Sequence, residues 1–416
     1  MPATPCPSGA RPLPLHAIGC ALALSLNLLW PHAATAQTDV AQTDAIRTAL
    51  AQIALAPVEV RTPWAPAAVV GGDGRTHLAY ELHVSNFYRD TGVLRLRRIA
   101  VYADAQSAPL ANFEGQALAQ IVQAQPADDA AGDGVPVAAG MRAIAFVWLT
   151  LPAGTAAPHT LRHRLEFVDT KGALQLVDGA RVAVDATPPV RLGPPLRAGL
   201  WLASEGPGNS RSHHWGSLVA ANGQVTIPQR YALDVFGLDD QGRALRNGAL
   251  DLRKSKREDW IGYGSDVLAV ADGVVRDVRD GQPDHQPLQA QPEPESLTAA
   301  GLYGNYVVLE IAPQVFVHYA HLQPGSVGVK VGQKVRRGAT LGRMGQSGNT
   351  NGPHLHIHVS NAATFEGSEG LPFVFDRYAS PGDWTLTQAI DPQSTFSPLR
   401  EPHRDQMPLD GEVMGF

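Results

Sequence analysis

The chain has 416 residues, of which 44% are hydrophobic and 17% are charged, and its formal net charge at pH 7 is −6. A chain of this length and composition folds into two or three globular domains. The negative charge balance provides no basic surface for a polyanion, so nucleic acid is not the expected partner.

Residues 1–36 have the pattern of an export signal. Arg11 supplies a positive start, Ala17 to Trp30 form an apolar stretch of 14 residues, and Ala34-Thr35-Ala36 is a small-x-small cleavage site. Fourteen apolar residues are too few to span a bilayer comfortably, so a retained anchor is the lesser alternative. Both cysteines lie in this segment, so disulfides are not expected in the mature chain. We expect a periplasmic or secreted protein without a membrane segment after signal cleavage.

Residues 37–56 are expected to be a short helix or a linker, and residues 57–186 to be a β-sandwich domain. Within the second range apolar and polar residues alternate with the period of two that is typical of strands. The apolar positions are Leu78, Tyr80, Leu82 and Val84; Leu161, Leu165 and Phe167; and Leu174, Leu176, Val182 and Val184 around a predicted hairpin at Asp178-Gly179. A more buried strand is indicated by Ile144, Phe146 and Trp148. The pattern predicts an antiparallel sandwich of immunoglobulin-like size, with a binding, spacer or regulatory role.

A Pro-rich segment at residues 187–197 cannot continue a strand or helix, and it marks a domain boundary. Residues 198–396 are expected to form a second domain. Within it, residues 281–300 form a polar insertion that is expected to be a loop. Residues 397–416 are polar and contain proline, and they are expected to be a flexible tail.

Five histidines lie within the 41 residues from His318 to His358. In His354-Leu355-His356-Ile357-His358 they alternate with apolar residues, so a strand would place all three imidazoles on one face. His321 belongs to a second cluster of histidines. Neutral imidazole is the commonest protein ligand of zinc, and a catalytic zinc needs three protein ligands and one open position. The pattern therefore predicts a zinc site in this part of the chain.

The same region resembles a known family. The motifs that carry the resemblance are ordered along the chain: Gly264-Ser265-x-Val267-x-Ala269-Val270-x-Asp272-Gly273-x-Val275, Gly304-Asn305-x-Val307, Tyr319-Ala320-His321-Leu322, Val329-x-Val331-Gly332-Gln333-x-Val335, Gly345-x-Ser347-Gly348-Asn349 and Gly352-Pro353-His354-Leu355-His356. They look like those of the lysostaphin/LytM-like zinc metallopeptidases, which cut peptide bonds in bacterial cell walls. The resemblance covers about residues 200 to 375, and it implies a mostly antiparallel β fold for the second domain, residues 198–396.

The resemblance implies a set of site residues. In that family a His-x-x-x-Asp motif and the second histidine of a His-x-His motif bind zinc, which here implies Asp234 and His356 as metal ligands. His321 and His354 fall where the family keeps two catalytic histidines. The first motif is incomplete, because the matching segment starts with Arg230. A guanidinium stays protonated and has no lone pair to give to a metal.

Two interpretations of this departure remain open. In the first, the missing ligand comes from His213 or His214, with His213 preferred, and the neighbouring side chains of an extended segment point in opposite directions. A change of Arg230→His would then restore a ligand if Arg230 shared a strand face with Asp234. In the second, the site has decayed into a non-catalytic module that binds the cell wall or activates an amidase. We favour a working site, because the other ligand positions are retained.

The resemblance implies a zinc-dependent endopeptidase whose substrate is the peptide part of peptidoglycan. His354 and His321 would then act as the general base and as the donor to the oxyanion. Other catalytic motifs are lacking from the sequence: it has no His-Glu-x-x-His helix, Gly-x-Ser-x-Gly elbow or phosphate-binding loop. The bond cut and the oligomeric state are not indicated.

Overall fold

The computed structural model describes residues 55–124, 133–246, 252–289, 298–397 and 400–416. The predicted export signal, and residues 37–54 of the helix or linker predicted at 37–56, lie outside these ranges. The described chain is mainly β, as the sequence predicts. None of its described helices has the length and apolar character needed to cross a membrane.

The first ten strands alternate apolar and polar residues and pair antiparallel. Their bounds, with those of one α-helix and one 3₁₀ turn, are β1 Val58–Arg61, β2 Ala68–Val70, β3 Thr76–Asn86, a 3₁₀ turn at Arg89–Thr91, β4 Leu94–Ala103, β5 Ala111–Glu114, α1 Gly115–Ile121, β6 Val122–Gln123, β7 Val135–Val137, β8 Arg142–Thr150, β9 Thr160–Val168 and β10 Leu174–Ala183. One sheet has the order β1-β3-β8-β6 with β2 beside β3, and the other has the order β10-β9-β4-β5 with β7 beside β4.

The two N-terminal sheets share one apolar core. Because side chains alternate between the faces of a strand, Leu78, Tyr80 and Leu82 of β3 point the same way. They pack with residues of the other sheet, including Leu165 and Phe167, into a single buried cluster. The alternation read from the sequence therefore identified the core-facing positions of β3 and β9.

The opposite face of the β3/β8 sheet is buried as well. Ala79 of β3 and Phe146 of β8 belong to a second apolar cluster, whose other members come mainly from the C-terminal half of the chain. Glu81, on the same face, is only 2% exposed. A strand exposed on one face would be expected to place its polar residues in solvent, but here the second domain covers them.

The strands of the second half of the chain are short and are joined by glycine-rich turns. The bounds of all elements after β10 are β11 Val190–Leu192, β12 Leu200–Ser204, α2 His213–Gly216, β13 Val219–Ala221, β14 Gln224–Thr226, β15 Leu233–Leu238, 3₁₀ turns at Leu252–Lys254 and Arg257–Asp259, β16 Asp266–Leu268, β17 Gly273–Arg279, α3 Ala299–Leu302, β18 Asn305–Ala312, β19 Val315–Leu322, β20 Lys334–Val335, β21 Thr340–Arg343, β22 Leu355–Ser360, β23 Phe373–Phe375, β24 Tyr378–Ser380, α4 Leu386–Ile390, β25 Glu401–His403 and β26 Val413–Gly415.

Ten of these strands form one antiparallel sheet in the order β20-β17-β18-β19-β22-β15-β12-β26-β24-β25. Its central strands β19, β22 and β15 are almost wholly buried. The Pro-rich segment predicted as a linker contributes β11, which pairs in parallel with β23. The predicted boundary is therefore tied into the second half of the chain.

The C-terminal segment differs from the expected flexible tail. In the described residues 400–416, β26 pairs with β12, and β25 pairs with β24. Met407, Val413 and Met414 are buried. The prediction from polarity and proline content is wrong for these residues, because a few apolar side chains at strand spacing are enough to close the edge of the sheet.

Candidate metal centre

The central strands bring distant residues of the sequence together. In the antiparallel register, His356 of β22 lies opposite Asp234 of β15 on one side and opposite Ala320 of β19 on the other. His321 follows Ala320, and His354 immediately precedes β22. Four of the site residues predicted from the sequence therefore meet at the centre of the sheet, and the remaining candidate is His213.

Asp234 is the centre of the cluster. Its Oδ1 lies 3.0 Å from Nδ1 of His356, 3.1 Å from Nε2 of His354 and 3.3 Å from Nε2 of His214. All four side chains are at most 8% exposed. Three imidazole nitrogens from two segments of the chain thus surround one carboxylate oxygen.

Backbone carbonyls fix the orientation of three of the histidine rings. Nδ1 of His214 is 2.9 Å from the carbonyl oxygen of Glu205, Nδ1 of His321 is 2.8 Å from that of Ser347, and Nδ1 of His354 is 2.8 Å from that of Gly352. A carbonyl oxygen can only accept, so each Nδ1 carries the proton, and in a neutral ring Nε2 then keeps its lone pair. This assignment gives three basic nitrogens in the cluster.

In His356 the donor and acceptor roles of the two ring nitrogens are reversed. Its Nε2 lies 2.9 Å from Nδ1 of His358, and Nε2 of His358 lies 3.2 Å from the hydroxyl of Tyr303. At the other end, His318 is anchored by Nε2 on Ser360 and on the carbonyl of Ala362. If the hydrogen bonds all run in one direction, from His356 through His358 and Tyr303 to His318, His356 donates from Nε2. The lone pair of its Nδ1 then faces Asp234.

Burial favours the neutral form of two of these rings, His356 and His321. It lowers the pKa of His356 to about 4, although the nearby carboxylate of Asp234 acts in the opposite direction. Burial, followed by the nearby His354 and His356, holds the pKa of His321 well below its usual range. For Asp234, burial alone would raise the pKa, but His354 and His214 together hold it well below the usual value. The carboxylate of Asp234 is therefore held in its ionised form beside these rings.

The structure distinguishes between the two histidines before Trp215. They lie in the short helix α2 and not in an extended segment, and their rings are 4.1 Å apart instead of pointing in opposite directions. The side chain of His213 is 63% exposed and pairs with Glu205 at 3.3 Å. Burial opposes the shift, but the hydrogen bond to Glu205 raises the pKa of His213. His214 is the ring that is buried against Asp234 and, at 4.7 Å, against His356.

Arg230 is buried in a turn before β15 and does not share a strand face with Asp234. Its Nε lies 2.6 Å from Glu369, and its Nη1 pairs with Glu81 of strand β3. The premise that an Arg230→His change would aim an imidazole at the site from β15 is therefore wrong.

The cluster lies at the base of a cleft of about 760 Å³. Its walls combine the histidines with apolar side chains, among them Leu218, Phe236, Tyr303, Phe365 and Leu386. Residues 349–352 form part of the rim. An apolar cleft with a few convergent polar groups is the usual form of a substrate site.

Several residues of the site were not predicted from the sequence. Glu205 and Tyr303 fix histidine orientations, and neither stands in one of the recognised motifs.

Asn305 and Tyr319 stabilise the fold: the amide of Asn305 donates to backbone carbonyls, and Tyr319 accepts from the backbone N–H of Val270. His321 has a φ of 61°, a left-handed conformation that is uncommon for histidine and is found at functional sites.

The donor set fits a divalent metal. Nε2 of His354 is buried without a hydrogen-bond partner, although it lies 3.1 Å from a carboxylate. Two lone pairs that face each other at such distances are repulsive unless a cation lies between them. The donor atoms of His213, His214 and Asp234 lie within 4.8 Å of one another. Imidazole nitrogen with one carboxylate is a donor set that suits zinc.

Part of the second half of the chain matches a known family. Residues 259–366 match the sequence model described as Peptidase family M23. The resemblance predicted from the sequence is thereby confirmed for this segment. The matched range contains His321, His354 and His356, whereas Asp234, His214 and Arg230 precede it.

Two curated proteins share parts of the sequence. A stretch of 56 residues, 14% of the chain, is 45% identical to "Peptidoglycan DD-endopeptidase ShyA" of Vibrio cholerae. A longer stretch of 148 residues, 35% of the chain, is 30% identical to "Cell division protein DipM" of Caulobacter vibrioides. The matched parts span 13% and 20% of the length of these two relatives.

Among solved structures, a zinc-containing peptidase from Vibrio cholerae aligns with 73% of this chain and 81% of its own, at 16% identity and a TM-score of 0.20. A prophage-encoded M23 protein, EnpA from Enterococcus faecalis, aligns with 29% of this chain and 87% of its own, at 21% identity and a TM-score of 0.18.

Proposed function

We propose that the chain is a zinc-dependent endopeptidase that hydrolyses peptide bonds in bacterial cell-wall peptidoglycan. The observation that carries the proposal is the convergence of His214, His354 and His356 on one oxygen of Asp234, at 3.0 to 3.3 Å. The peptidase family M23 match supports the hydrolytic chemistry, and the relative named as a peptidoglycan DD-endopeptidase supports the substrate class.

We assign His214, Asp234 and His356 as the zinc ligands. His214 would bind through Nε2, because Nδ1 donates to the carbonyl of Glu205, and His356 would bind through Nδ1, because Nε2 donates to His358. His213, the ligand preferred from the sequence, is less suitable, since its pairing with Glu205 favours the protonated ring. In this proposal His214 supplies the ligand that the His-x-x-x-Asp motif would place at the position of Arg230.

The catalytic roles fall to His354 and His321. Zinc in this position would polarise the scissile carbonyl and lower the pKa of water toward about 7. Both rings donate Nδ1–H to a backbone carbonyl and leave Nε2 unprotonated. Either Nε2 can accept the proton of the attacking water, and the ring that takes it can then donate to the oxyanion or to the leaving amine.

The cleft supports an extended peptide as the substrate. Its apolar walls, which include Leu218, Phe236 and Phe365, can contact alkyl parts of a peptide while the histidines face the scissile bond. A proton acceptor and a polarising cation at the base of one open cleft are the groups that amide hydrolysis requires.

The remaining parts of the chain complete the proposal. We propose that the two N-terminal sheets form an immunoglobulin-like β-sandwich at residues 57–186, and that residues 198–396 are the metallopeptidase-like domain. Export through residues 1–36 would bring the protein to the periplasm or the exterior, where peptidoglycan is found. The alternative, a non-catalytic module that binds the wall or activates an amidase, is disfavoured by the complete donor set around Asp234.

The test combines metal analysis with wall digestion. The purified mature chain is expected to contain about one zinc per molecule and to release peptide fragments from purified peptidoglycan, and removal of zinc by a chelator is expected to stop the release. A chain that retains no zinc after purification in zinc-containing buffer, and that does not digest peptidoglycan, would show that the proposal is wrong.

A further inference from the structure

Trp215 connects the proposed zinc ligand His214 to the N-terminal sheets. The indole is 3% exposed and its Nε1 donates to Oε1 of Glu81 at 2.5 Å. Its ring also makes edge contacts with Phe146 and Trp148, at centroid distances of 5.7 and 6.2 Å. Glu81 belongs to β3, whereas Phe146 and Trp148 belong to β8. The residue next to His214 is therefore inserted into the face of the N-terminal sheet that the second domain covers.

The same carboxylate also holds the segment that leads to Asp234. Arg230 pairs with Glu81 through Nη1 and with Glu369 through Nε. All three side chains are at most 5% exposed, so water does not weaken the attraction between these charges. Arg230 stands four residues before Asp234. Glu81 thus contacts two separate segments, one carrying His214 and the other leading to Asp234.

Helix α2 needs such support because it is short. It has four residues, and its local stabilisation is the cap in which Ser212 accepts from the backbone N–H of His214. An isolated helix of this length is unstable in water, because the hydrogen bonds of one turn do not offset the conformational entropy lost when its backbone is ordered. The position of the His214 ring therefore depends on the tertiary contacts of α2, which include the burial of Trp215.

We propose that the N-terminal domain positions the metal centre through Glu81, which holds Trp215 of the His214 segment and Arg230 of the Asp234 segment against one carboxylate. This inference rests on the proposed function, since it takes His214 and Asp234 as ligands. Glu81 and Trp215 are positioning residues, and neither contacts the substrate or the reacting atoms. The N-terminal sheets then have a role that nothing in their own sequence pattern indicates.

The test measures zinc binding in the full chain. Glu81→Gln keeps an oxygen that can accept from Trp215 but removes the charge that faces Arg230, whereas Trp215→Phe keeps an aromatic ring but removes the donor. Each variant is expected to bind zinc about 10-fold more weakly in competition with a chelator, in the range seen when a group that orients a ligand is removed. The visible absorption of Co²⁺ bound in place of zinc is expected to change, because it reports the geometry of the ligands.

Tyr80→Phe is the matched control. Tyr80 precedes Glu81 on β3 and points to the opposite face, into the N-terminal core, where its hydroxyl lies 2.8 Å from Nε2 of His163. This variant is expected to lower the unfolding midpoint without changing zinc affinity or the Co²⁺ spectrum.

The outcomes separate the two proposals. Wild-type affinity and spectrum in both test variants would overturn the positioning role and leave the proposed function intact. An equal loss of affinity in Tyr80→Phe would also overturn it, since metal binding would then simply follow stability. A wild-type chain that binds no zinc would overturn both. If Glu81→Gln does not fold, Trp215→Phe decides alone.

Discussion

His356 and His358 lie on one face of β22, with Nε2 of the first 2.9 Å from Nδ1 of the second. The bond leaves Nδ1 of His356 directed at Asp234, and it is supported by Tyr303, whose hydroxyl lies 3.2 Å from Nε2 of His358. A histidine that the sequence analysis could place only on the correct face of a strand thus selects the nitrogen that His356 presents to a metal.

We expect His358→Ala to weaken zinc binding by about 10- to 100-fold, because His356 would lose the acceptor that fixes its tautomer and ring orientation. Competition with a chelator measures the change. His163→Ala is the control, since it also removes a buried imidazole but lies in the N-terminal sheets. Equal zinc affinity in His358→Ala and wild type would show that His356 is oriented by Asp234 alone.

The choice between the adjacent histidines can be tested in one pair of variants. We expect His214→Ala to lose zinc retention, because it removes one of three ligands, and His213→Ala to keep about one equivalent of zinc and most of its hydrolytic activity. Metal analysis after dialysis distinguishes the two. The reverse result would restore His213 as the ligand, and retention of zinc in both variants would place the third donor elsewhere.

The two catalytic candidates should separate metal binding from chemistry. We expect His354→Ala and His321→Ala each to retain zinc and to slow peptidoglycan digestion by about 100-fold or more, the usual effect of removing a general base or an oxyanion donor. Zinc content and the rate of peptide release are measured on the same preparations. Loss of zinc from either variant would assign that residue to metal binding instead.

The buried charges around Arg230 predict a dependence of stability on pH. Burial raises the pKa of Glu369 from 4.5 to about 7, against the charge of Arg230, while the charge of Glu81 raises it further. Tyr231 is also close, and its pKa is raised by burial. Between pH 4.5 and 7 the unfolded chain releases a proton that the folded chain still holds. The contribution of Glu369 to the free energy of unfolding is therefore fully present below pH 4.5 and is lost by about pH 7.

We expect Glu369→Gln to remove this part of the pH dependence, which amounts to at most about 3 kcal/mol between pH 4.5 and 7. Denaturant unfolding at several pH values in this interval measures it, and the difference between variant and wild type cancels the contribution of other groups. Glu366→Gln, an exposed neighbour, is the control. Parallel pH profiles for Glu369→Gln and wild type would contradict the assignment.

A histidine at position 230 is not expected to become a zinc ligand. We expect Arg230→His to lower the free energy of unfolding by about 3 to 5 kcal/mol, because Glu81 and Glu369 would remain buried without their shared partner. It should also fail to restore zinc binding to His214→Ala. Adding Glu81→Gln and Glu369→Gln is expected to recover part of the lost stability. Recovery of zinc by Arg230→His alone would mean that the turn before β15 can reach the site.

The local patterns of the sequence predicted the parts of the site that lie on one strand. Alternation located His354, His356 and His358 on one face of β22, and the motif resemblance located Asp234 and His321. The burial of His214, and not of His213, beside Asp234 was not predictable, because it depends on a helix of four residues whose position is set by tertiary contacts. Contacts of Glu81 with residues more than 130 positions away leave no local pattern at all.

The tail was mispredicted for a related reason. Polarity and proline content describe residues 397–416 on average, but strand β26 is held by three register pairs with β12 and by the burial of Val413 and Met414. Whether a segment such as β26 forms a strand depends on the strand that it can pair with, here β12, as much as on its own residues. Composition therefore underestimates order wherever a free sheet edge is available.

The sheet that contains β3 and β8 lies between two hydrophobic cores, with Tyr80 in one core and Ala79 in the other. A protein engineer who cut the chain at the Pro-rich segment would leave Trp215 in solvent and Arg230 with one carboxylate instead of two. The segment that is recognisable by its motifs is therefore smaller than the unit that can be transplanted. A graft intended to carry the metal centre into another protein would have to include the strands that bear Glu81 and Phe146.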